Sequence, residues 1–451
     1  MSLLSLEMSA DRIAKLKDAA LAHDDPKEAW RLARPLLKGV RQAEAARALA
    51  DLTRRGAFEL ADGLVAAQAL LDAAPEDAQV MGLLGRAFES LHDIRYLNGA
   101  PPTTRVLLEI ADRLQDLVDS AGAASRDDEL ALHHGLSVAA RILGRSWDDV
   151  AERSERWLVE ANGARWTDLY GLGLFYKTRG RFQEGLAANQ RAFDSGGAED
   201  DAVRWNLGIC ATGAGDGETA LKIWKSMGNR IELGRFGLPD GRYHEVKVRL
   251  AQRPLAERNP ETEPDDPGLE ETIWIERLSP CHGIVRSALF QHLGVDYGDV
   301  VLFDGAPITH HKYGEEQVAV FPHLATLVRP GYRIWRFAGT QGEPGQIAEL
   351  SRDLPDDSVL YVHTEQFQVV CHSCWESGRM NAEHHHDEEH RVVTGKLCAP
   401  PHTSPTTLLD RLDELVATTE GIQLLVPDLA RETGRADRAE VEARRFAMIE
   451  S

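Results

Sequence analysis

The 451-residue chain lacks any run approaching 18 consecutive apolar residues, so the sequence predicts no transmembrane helix. The N-terminal segment contains neither a basic opening stretch nor a long apolar core, which predicts that no secretory signal is present. Cysteine is scarce, and an odd number of five cysteines in a long chain argues against a disulfide framework. These absences predict a cytoplasmic protein with reduced thiols.

Basic residues are outnumbered, because 51 lysines and arginines stand against 72 aspartates and glutamates, for a formal net charge of −21. This balance predicts that the chain binds neither nucleic acid phosphates nor anionic membranes. The phosphate-binding pattern G-x-x-x-x-G-K-[ST], a dinucleotide fingerprint and the G-x-S-x-G nucleophile elbow are all missing. Nucleotide-dependent and ordinary serine-hydrolase mechanisms are therefore disfavoured.

The first half of the chain has the spacing of helices. Apolar residues recur at steps of three and four, as at Ile13, Leu16 and Ala20. Glycine, proline and aspartate interrupt the pattern at short intervals, which predicts helices of roughly 12 to 15 residues joined as antiparallel hairpins. We place this all-α domain at residues 1–238.

A period of about 35 residues runs through this domain. The pair Leu172-Gly173 returns as Leu207-Gly208, and Leu84-Gly85 is an earlier copy. In each copy the glycine allows a neighbouring helix to approach, and a large residue nearby fills the space beside it. An irregular helical bundle is the alternative interpretation.

The pattern resembles the tetratricopeptide repeat (TPR), most clearly at residues 166–199 and 201–228 and more weakly at 42–111. The resemblance implies a solenoid with a concave groove that holds a protein or peptide partner. It also implies that residues on the first helix of each repeat, such as Lys177 and Asn206, line that groove.

The sequence pattern changes from helical to strand-like near residue 240. Residues 239–269 contain an alternating strand pattern and then an acidic, proline-rich linker. Residues 270–451 alternate strands with a few helices, which predicts an α+β domain with a mainly antiparallel sheet. This half holds four of the five cysteines and 12 of the 17 histidines, so metal or thiol chemistry is expected here.

Cys371 and Cys374 form a C-x2-C pair, and Cys398 and His402 follow as a C-x3-H pair after 23 intervening residues. Two close pairs of sulfur and imidazole ligands suit tetrahedral zinc, so the sequence predicts a structural zinc site at these four residues. A second pair at Cys281-His282, a redox dithiol and reduced cysteines without metal are the alternatives.

Two weaker patterns point to catalysis. His386, Glu389 and His390 match H-x-x-E-H, in which two imidazoles hold a metal and the carboxylate acts as a base toward bound water. A solvated loop that traps metals adventitiously is the alternative.

The second pattern is the turn that holds Cys281 and His282, where a thiolate could pair with one of the following histidines. A turn cysteine with a purely structural role is favoured over this thiolate. Asp299 and Asp304 flank a buried strand and are explained by turn chemistry.

The sequence therefore favours an interaction or scaffold protein whose repeats bind a partner protein or peptide, with a zinc-stabilised C-terminal domain. The alternative is a metal-dependent hydrolase or thiol-dependent enzyme in that domain, with the repeats recruiting its substrate. The pattern of residues does not determine the oligomeric state.

Overall fold

The computed structural model describes residues 8–91, 105–120, 124–257, 266–377 and 389–450. Within these ranges, no helix combines the length and the apolar character that crossing a bilayer requires.

The first half of the described chain folds into successive helices. These are α1 Ala10–Leu21, α2 Pro26–Ala33, α3 Ala43–Arg54, α4 Leu60–Ala73, α5 Ala78–Arg86, α6 Phe88–Leu91, α7 Arg105–Asp119, α8 Arg126–Leu143, α9 Asp148–Ala161, α10 Trp166–Lys177, α11 Phe182–Ala192, α12 Asp201–Gly213 and α13 Gly217–Ser226.

Capping side chains fix where several of these helices begin. Ser9, Asp25, Asp77 and Asp200 each precede a helix and accept a hydrogen bond from a backbone N–H of its first turn. Between α10 and α11 the chain reverses at Gly180, whose φ of +70° lies in the left-handed region that glycine adopts without strain. Short capped helices and glycine turns together produce the hairpins.

The pairs α10–α11 and α12–α13 are stacked antiparallel hairpins of the TPR type, which confirms the repeat prediction. A Cβ atom added at Gly173 of α10 would lie 2.4 Å from Nδ2 of Asn189 in α11. Gly208 of α12 has the same relation to Trp224 of α13, again at 2.4 Å. The glycine of each Leu-Gly pair is therefore a point where the two helices of one hairpin meet closely.

The earlier Leu-Gly copy serves a contact between hairpins. A Cβ atom at Gly85 of α5 would lie 2.4 Å from the carbonyl oxygen of Gly135 in α8, and Gly82 stands equally close to the carbonyl oxygen of Ala131. The helices α1, α3, α5, α8, α10 and α12 form what we call the inner face, since α1 packs on α3, α3 on α5, α5 on α8 and α10 on α12.

Strands occupy most of the remaining chain. They are β1 Ile231–Leu233, β2 Pro239–Gly241, β3 Val246–Ala251, β4 Glu270–Arg277, β5 His282–Val285, β6 Val300–Phe303, β7 Thr309–Tyr313, β8 Glu316–Val328, β9 Arg333–Thr340, β10 Val359–Cys371, β11 Glu389–Ala399 and β12 Gln423–Leu425.

Strands β3, β4, β5, β6 and β8 close into a five-stranded barrel. Each is antiparallel to the strand before it in this order, and because their number is odd, β8 runs parallel to β3 where the barrel closes, with Lys247 opposite Val320. β7 pairs with the first part of β8. Residues 304–308 connect β6 to β7 and form a turn. β3 lies within residues 239–269, which the sequence analysis assigned to a strand and linker.

The C-terminal unit is a four-stranded antiparallel sheet in the order β10-β11-β9-β12. An apolar core joins this sheet to its helices. The helices are α14 Gln346–Glu349, α15 His372–Ser377, α16 Pro405–Thr418, α17 Pro427–Glu432 and α18 Ala436–Glu450. The predicted α+β class with mainly antiparallel sheets is confirmed, although the strands form both a barrel and an open sheet.

The barrel packs directly on the last two repeats. Helices α12 and α13, the turn before β5 and the barrel strands β6 and β8 share one apolar cluster, whose members include Ile209, Trp224, Cys281, Leu302 and Leu324. At the turn between α10 and α11, a Cβ atom on Gly180 would lie 2.4 Å from Cα of Ala256. The barrel and the repeats are therefore in close van der Waals contact.

Candidate functional site

The structure separates the four residues predicted to bind zinc. Strand pairing places Cys371 opposite Glu389 and Cys398 opposite Val359, at the two ends of the β10–β11 hairpin. At about 3.3 Å per residue, the distance along β11 between these ends is roughly 30 Å. Cys398 instead lies buried in an apolar cluster that includes Tyr297, and burial raises the pKa of its thiol above the usual range.

Each of the other two predicted ligands follows one of these cysteines closely in the chain, so the structure separates the two pairs. Cys374 is buried on α15, and His402 is exposed in the loop that follows β11. Among the residues that the structure describes, no three His, Cys, Asp or Glu side chains are placed to hold a metal ion. The four-ligand site at Cys371, Cys374, Cys398 and His402 is therefore corrected: the structure does not bring these residues together. Zinc binding by a different set of ligands stays a prediction.

The structure does not support the H-x-x-E-H hypothesis either. Glu389 and His390 begin strand β11, whereas the motif needs a helix that presents both histidines to one metal. His386 lies outside the described residues. The helical geometry on which this hypothesis depends is therefore absent at the two residues that can be placed.

Cys281 does not have the environment of a nucleophile. Its side chain is buried, its sulfur lies 3.5 Å from Oγ1 of Thr212 in α12, and burial raises the pKa of the thiol to about 11. His282 is equally buried, and desolvation lowers the pKa of its imidazole to about 4 while its Nδ1 contacts Oγ of Ser279 at 2.5 Å. A protonated thiol beside a neutral histidine contradicts the thiolate hypothesis.

The predicted groove residues Lys177 and Asn206 are both buried, and the β6–β7 turn covers Lys177. The ammonium of Lys177 donates to the carboxylate of Asp304 at 2.9 Å, and the two side chains are only 6% and 13% exposed. Gly305, next in the β6–β7 turn, lies against the ring of Trp205, and Asn206 is buried as well. The chain's own turn therefore occupies the C-terminal end of the groove, which corrects the expectation that a partner contacts these two residues.

Charged side chains continue along the inner face toward the N-terminus, and we call them the inner stripe. In α3, the carboxylate of Asp51 binds Lys17 of α1 at 2.9 Å, Arg54 at 2.7 Å and Arg55 at 3.0 Å. Burial alone would raise the pKa of Asp51, but the hydrogen bonds from its three cationic partners outweigh burial and hold that pKa well below the usual range.

Arg86 of α5 is the next member of the inner stripe. Its side chain is exposed and forms no hydrogen bond or ion pair within the part of the chain described. Partial desolvation and then the neighbouring Arg54 lower the pKa of its guanidinium, and Glu89 and Asp51 oppose this shift.

The inner stripe ends on α8 and α10. Asp168 is fully buried, with Nε of Arg165 at 3.1 Å and Nε2 of His134 at 3.8 Å, while Arg141 binds Glu89 at 2.7 Å. The stripe contains six cations against three carboxylates, namely Lys17, Arg54, Arg55, Arg86, Arg141 and Arg165 against Asp51, Glu89 and Asp168. The nine side chains of the inner stripe therefore carry three more positive than negative charges, although the chain as a whole has a net charge of −21.

Glu155 of α9 lies beneath this surface. It is buried, and desolvation, opposed by Arg141 and Ser137, raises the pKa of its carboxyl group from 4.5 to about 7. At neutral pH Glu155 is therefore only partly ionised, and it cancels less than one positive charge of the inner stripe.

Glu155 should make the stability of the protein depend on pH. Because its pKa is higher in the folded state, its stabilising contribution is complete below pH 4.5 and is lost as the pH rises through about 7. Relative to Glu155→Gln, the wild-type protein should lose about 2 kcal/mol of unfolding free energy between pH 5 and pH 8. Urea denaturation of both proteins at the two pH values measures this difference, and parallel pH profiles would contradict it.

No protein-family model matches the chain, and no curated protein matches it. Several solved structures resemble its helical part. A crystal structure of MamA has a TM-score of 0.29 and 16% identity, over 40% of this chain and 86% of that one. MamA residues 41 to the end from Desulfovibrio magneticus RS-1 has a TM-score of 0.30 and 16% identity, over 43% and 92%.

A third structure is that of YrrB, described as a TPR protein with an unusual peptide-binding site. Its TM-score is 0.28 and its identity 17%, over 43% of this chain and 90% of that one. The repeat architecture of the present chain is established by its own helices.

Proposed function

We propose that this chain is an interaction or scaffold protein whose helical repeats bind an acidic segment of a partner protein along the inner stripe. The observation that carries the proposal is Arg86, an exposed guanidinium among further cations with no bonded partner in the described chain. Because an arginine presents a planar fork of donors, it can bind a carboxylate through two parallel hydrogen bonds.

The rest of the inner stripe supports the same partner chemistry. Asp51 fixes Arg54 and Lys17, so these cations are held in position before a partner arrives. Stacked hairpins form a rigid surface, which reduces the entropy that binding would otherwise lose. The Lys177–Asp304 pair closes one end of the groove and leaves the stripe between α1 and α10 for the partner.

The proposal predicts charge-dependent peptide binding. A fluorescein-labelled peptide of five Glu-Gly repeats should bind the full chain, and Arg86→Glu should weaken this binding about tenfold, because it replaces an attraction by a repulsion. Fluorescence anisotropy measures both affinities. Added sodium chloride should weaken binding to the wild-type chain as well.

Arg352→Glu is the matched control, since Arg352 is 80% exposed in the C-terminal unit. It makes the same change in net charge and should leave the affinity unchanged. Equal binding by the Arg86→Glu and Arg352→Glu variants, or tighter binding of the Lys-Gly counterpart, would refute an acidic partner at the inner stripe.

The enzymatic alternative has no comparable support, since neither Cys281 nor the H-x-x-E-H segment has the required environment among the described residues. A cytoplasmic setting is part of the proposal. It is supported by the buried thiols of Cys210, Cys281 and Cys398, which carry no disulfide.

A further inference from the structure

A second cleft lies between the barrel and the C-terminal sheet, away from the inner stripe. One wall is the segment Glu270–Trp274 of β4 with Phe290 from the loop between β5 and β6, and the other is formed by Tyr361 and His363 of β10. Its volume is about 620 Å³, which is large enough for one or two amino acid side chains. β10 is the edge strand of its sheet, so the cleft opens along a sheet edge.

Exposed aromatic rings line this cleft. Trp274 is 37% exposed and Phe290 is 51% exposed, although large apolar side chains are normally covered. Phe290 stacks on His363 with ring centroids 4.0 Å apart, and Tyr361 meets His363 edge-on at 5.7 Å. The rings support one another and therefore form a firm aromatic wall without a ligand.

Carboxylates stand at the same cleft. Glu271 accepts hydrogen bonds from the backbone N–H groups of Phe290 at 3.1 Å and Gln291 at 2.8 Å, which fixes its negative charge beside the exposed ring. Glu270 lies at the start of the same strand and is exposed. Desolvation lowers the pKa of His363 to about 4, so its imidazole is uncharged at neutral pH and does not repel a cation.

The protein itself already places a cation on one of these rings. Lys247 of β3 is the cross-strand partner of Trp274, and its ammonium lies 5.2 Å from the ring centroid. An aromatic face attracts a positive charge through its quadrupole, and a planar guanidinium can stack on it as well. The net charge of −21 would also favour the approach of cationic ligands.

Positive charge is present on the far side of the Phe290–His363 stack. Arg336 and Lys396 line a separate cavity of about 220 Å³ there. Lys396 binds Asp296 at 2.6 Å, which neutralises part of this charge. The ring stack therefore divides an aromatic cleft with carboxylates from a smaller cavity with cations.

We infer that the cleft between β4 and β10 binds the arginine side chains of a basic peptide, with the guanidinium stacked on Phe290 and paired with Glu271. This binding uses a different surface and a different charge from the inner stripe, and it does not depend on the function proposed above. The chain would then join an acidic partner at the repeats to a basic partner at the barrel.

The test is anisotropy of a labelled peptide of four Arg-Gly repeats with the full chain. Phe290→Ala should weaken its binding about fivefold, since it removes one stacking surface. Phe236→Ala is the matched control, because Phe236 is 44% exposed on the turn after β1 and lies outside the cleft. It should leave the affinity unchanged, and thermal unfolding should confirm that both variants are folded.

Several outcomes would overturn the inference. These are equal affinities of the Phe290→Ala and Phe236→Ala variants, equal binding of a Leu-Gly peptide, and tighter binding of a Glu-Gly peptide that depends on Phe290. Arg86→Glu separates the two proposals, since it should weaken the acidic peptide and leave the arginine peptide unaffected.

Discussion

Lys177→Met should lower the free energy of unfolding by about 3 to 5 kcal/mol, the largest effect we expect from a single side-chain truncation in this chain. The substitution leaves Asp304 as a carboxylate that is only 13% exposed and has lost its cationic partner. An uncompensated buried charge is costly because the interior does not solvate it as water does. Urea denaturation followed by circular dichroism measures the change.

Two further variants give this prediction its controls. Lys15→Met removes a surface pair with Asp11, in which both side chains are about three-quarters exposed, and should change stability by less than about 0.5 kcal/mol. The double variant Lys177→Met with Asp304→Leu should recover most of the loss, because no charge is then left buried. A Lys177→Met protein as stable as the Lys15→Met protein would show that the pair does not hold the barrel on the repeats.

Gly85→Ala should cost about 3 kcal/mol, although it adds a single methyl group. That carbon would lie 2.4 Å from the carbonyl oxygen of Gly135, an atom of the helix backbone that no rotamer change can move. Helices α5 and α8 would have to separate, and the packing around Gly82 and Ala131 would loosen with them. Thermal unfolding of the purified variant measures the loss.

Gly342→Ala provides the comparison. A Cβ atom there meets its nearest neighbour, Oε1 of Gln346, at an ordinary distance of 3.5 Å. The substitution should therefore be close to neutral. If the Gly85→Ala and Gly342→Ala variants had the same melting temperature, helices α5 and α8 would have room for an added methyl group where they cross. This result would contradict the prediction.

The sequence predicted the repeats well because their signal is local. The Leu-Gly pairs at 172–173 and 207–208 mark the helix contacts in the structure. Closure of the barrel could not be predicted, because it depends on the pairing of Lys247 with Val320. The sequence pattern of a strand is the same in an open sheet as in a closed one.

The candidate site was predicted less well. The sequence predicts that Asp304 lies in a turn, and its carboxylate does accept a hydrogen bond from the N–H of Ala306 at 3.4 Å. Its ion pair with Lys177 spans 127 positions, and no local pattern indicates such a distance. No sequence pattern indicated Arg86 as a binding residue either, because the charged residues near it lie on other helices.

The cysteine and histidine spacing was misleading for a physical reason. Both pairs have the spacing of metal knuckles, but the register of β10 against β11 places Cys371 and Cys398 at opposite ends of a long hairpin. Spacing along the chain limits which ligands can meet, and strand register decides whether they do meet.

The parallel closure of the barrel has a consequence for synthesis on the ribosome. Lys247 of β3 precedes its partner Val320 of β8 by 73 positions, and at about 5 to 20 residues per second this interval lasts roughly 4 to 15 seconds. During this time an apolar strand waits with one edge open while the repeats ahead of it are already complete. We expect the nascent protein to be exposed to aggregation in that interval, so chaperones should be needed there rather than during formation of the helices.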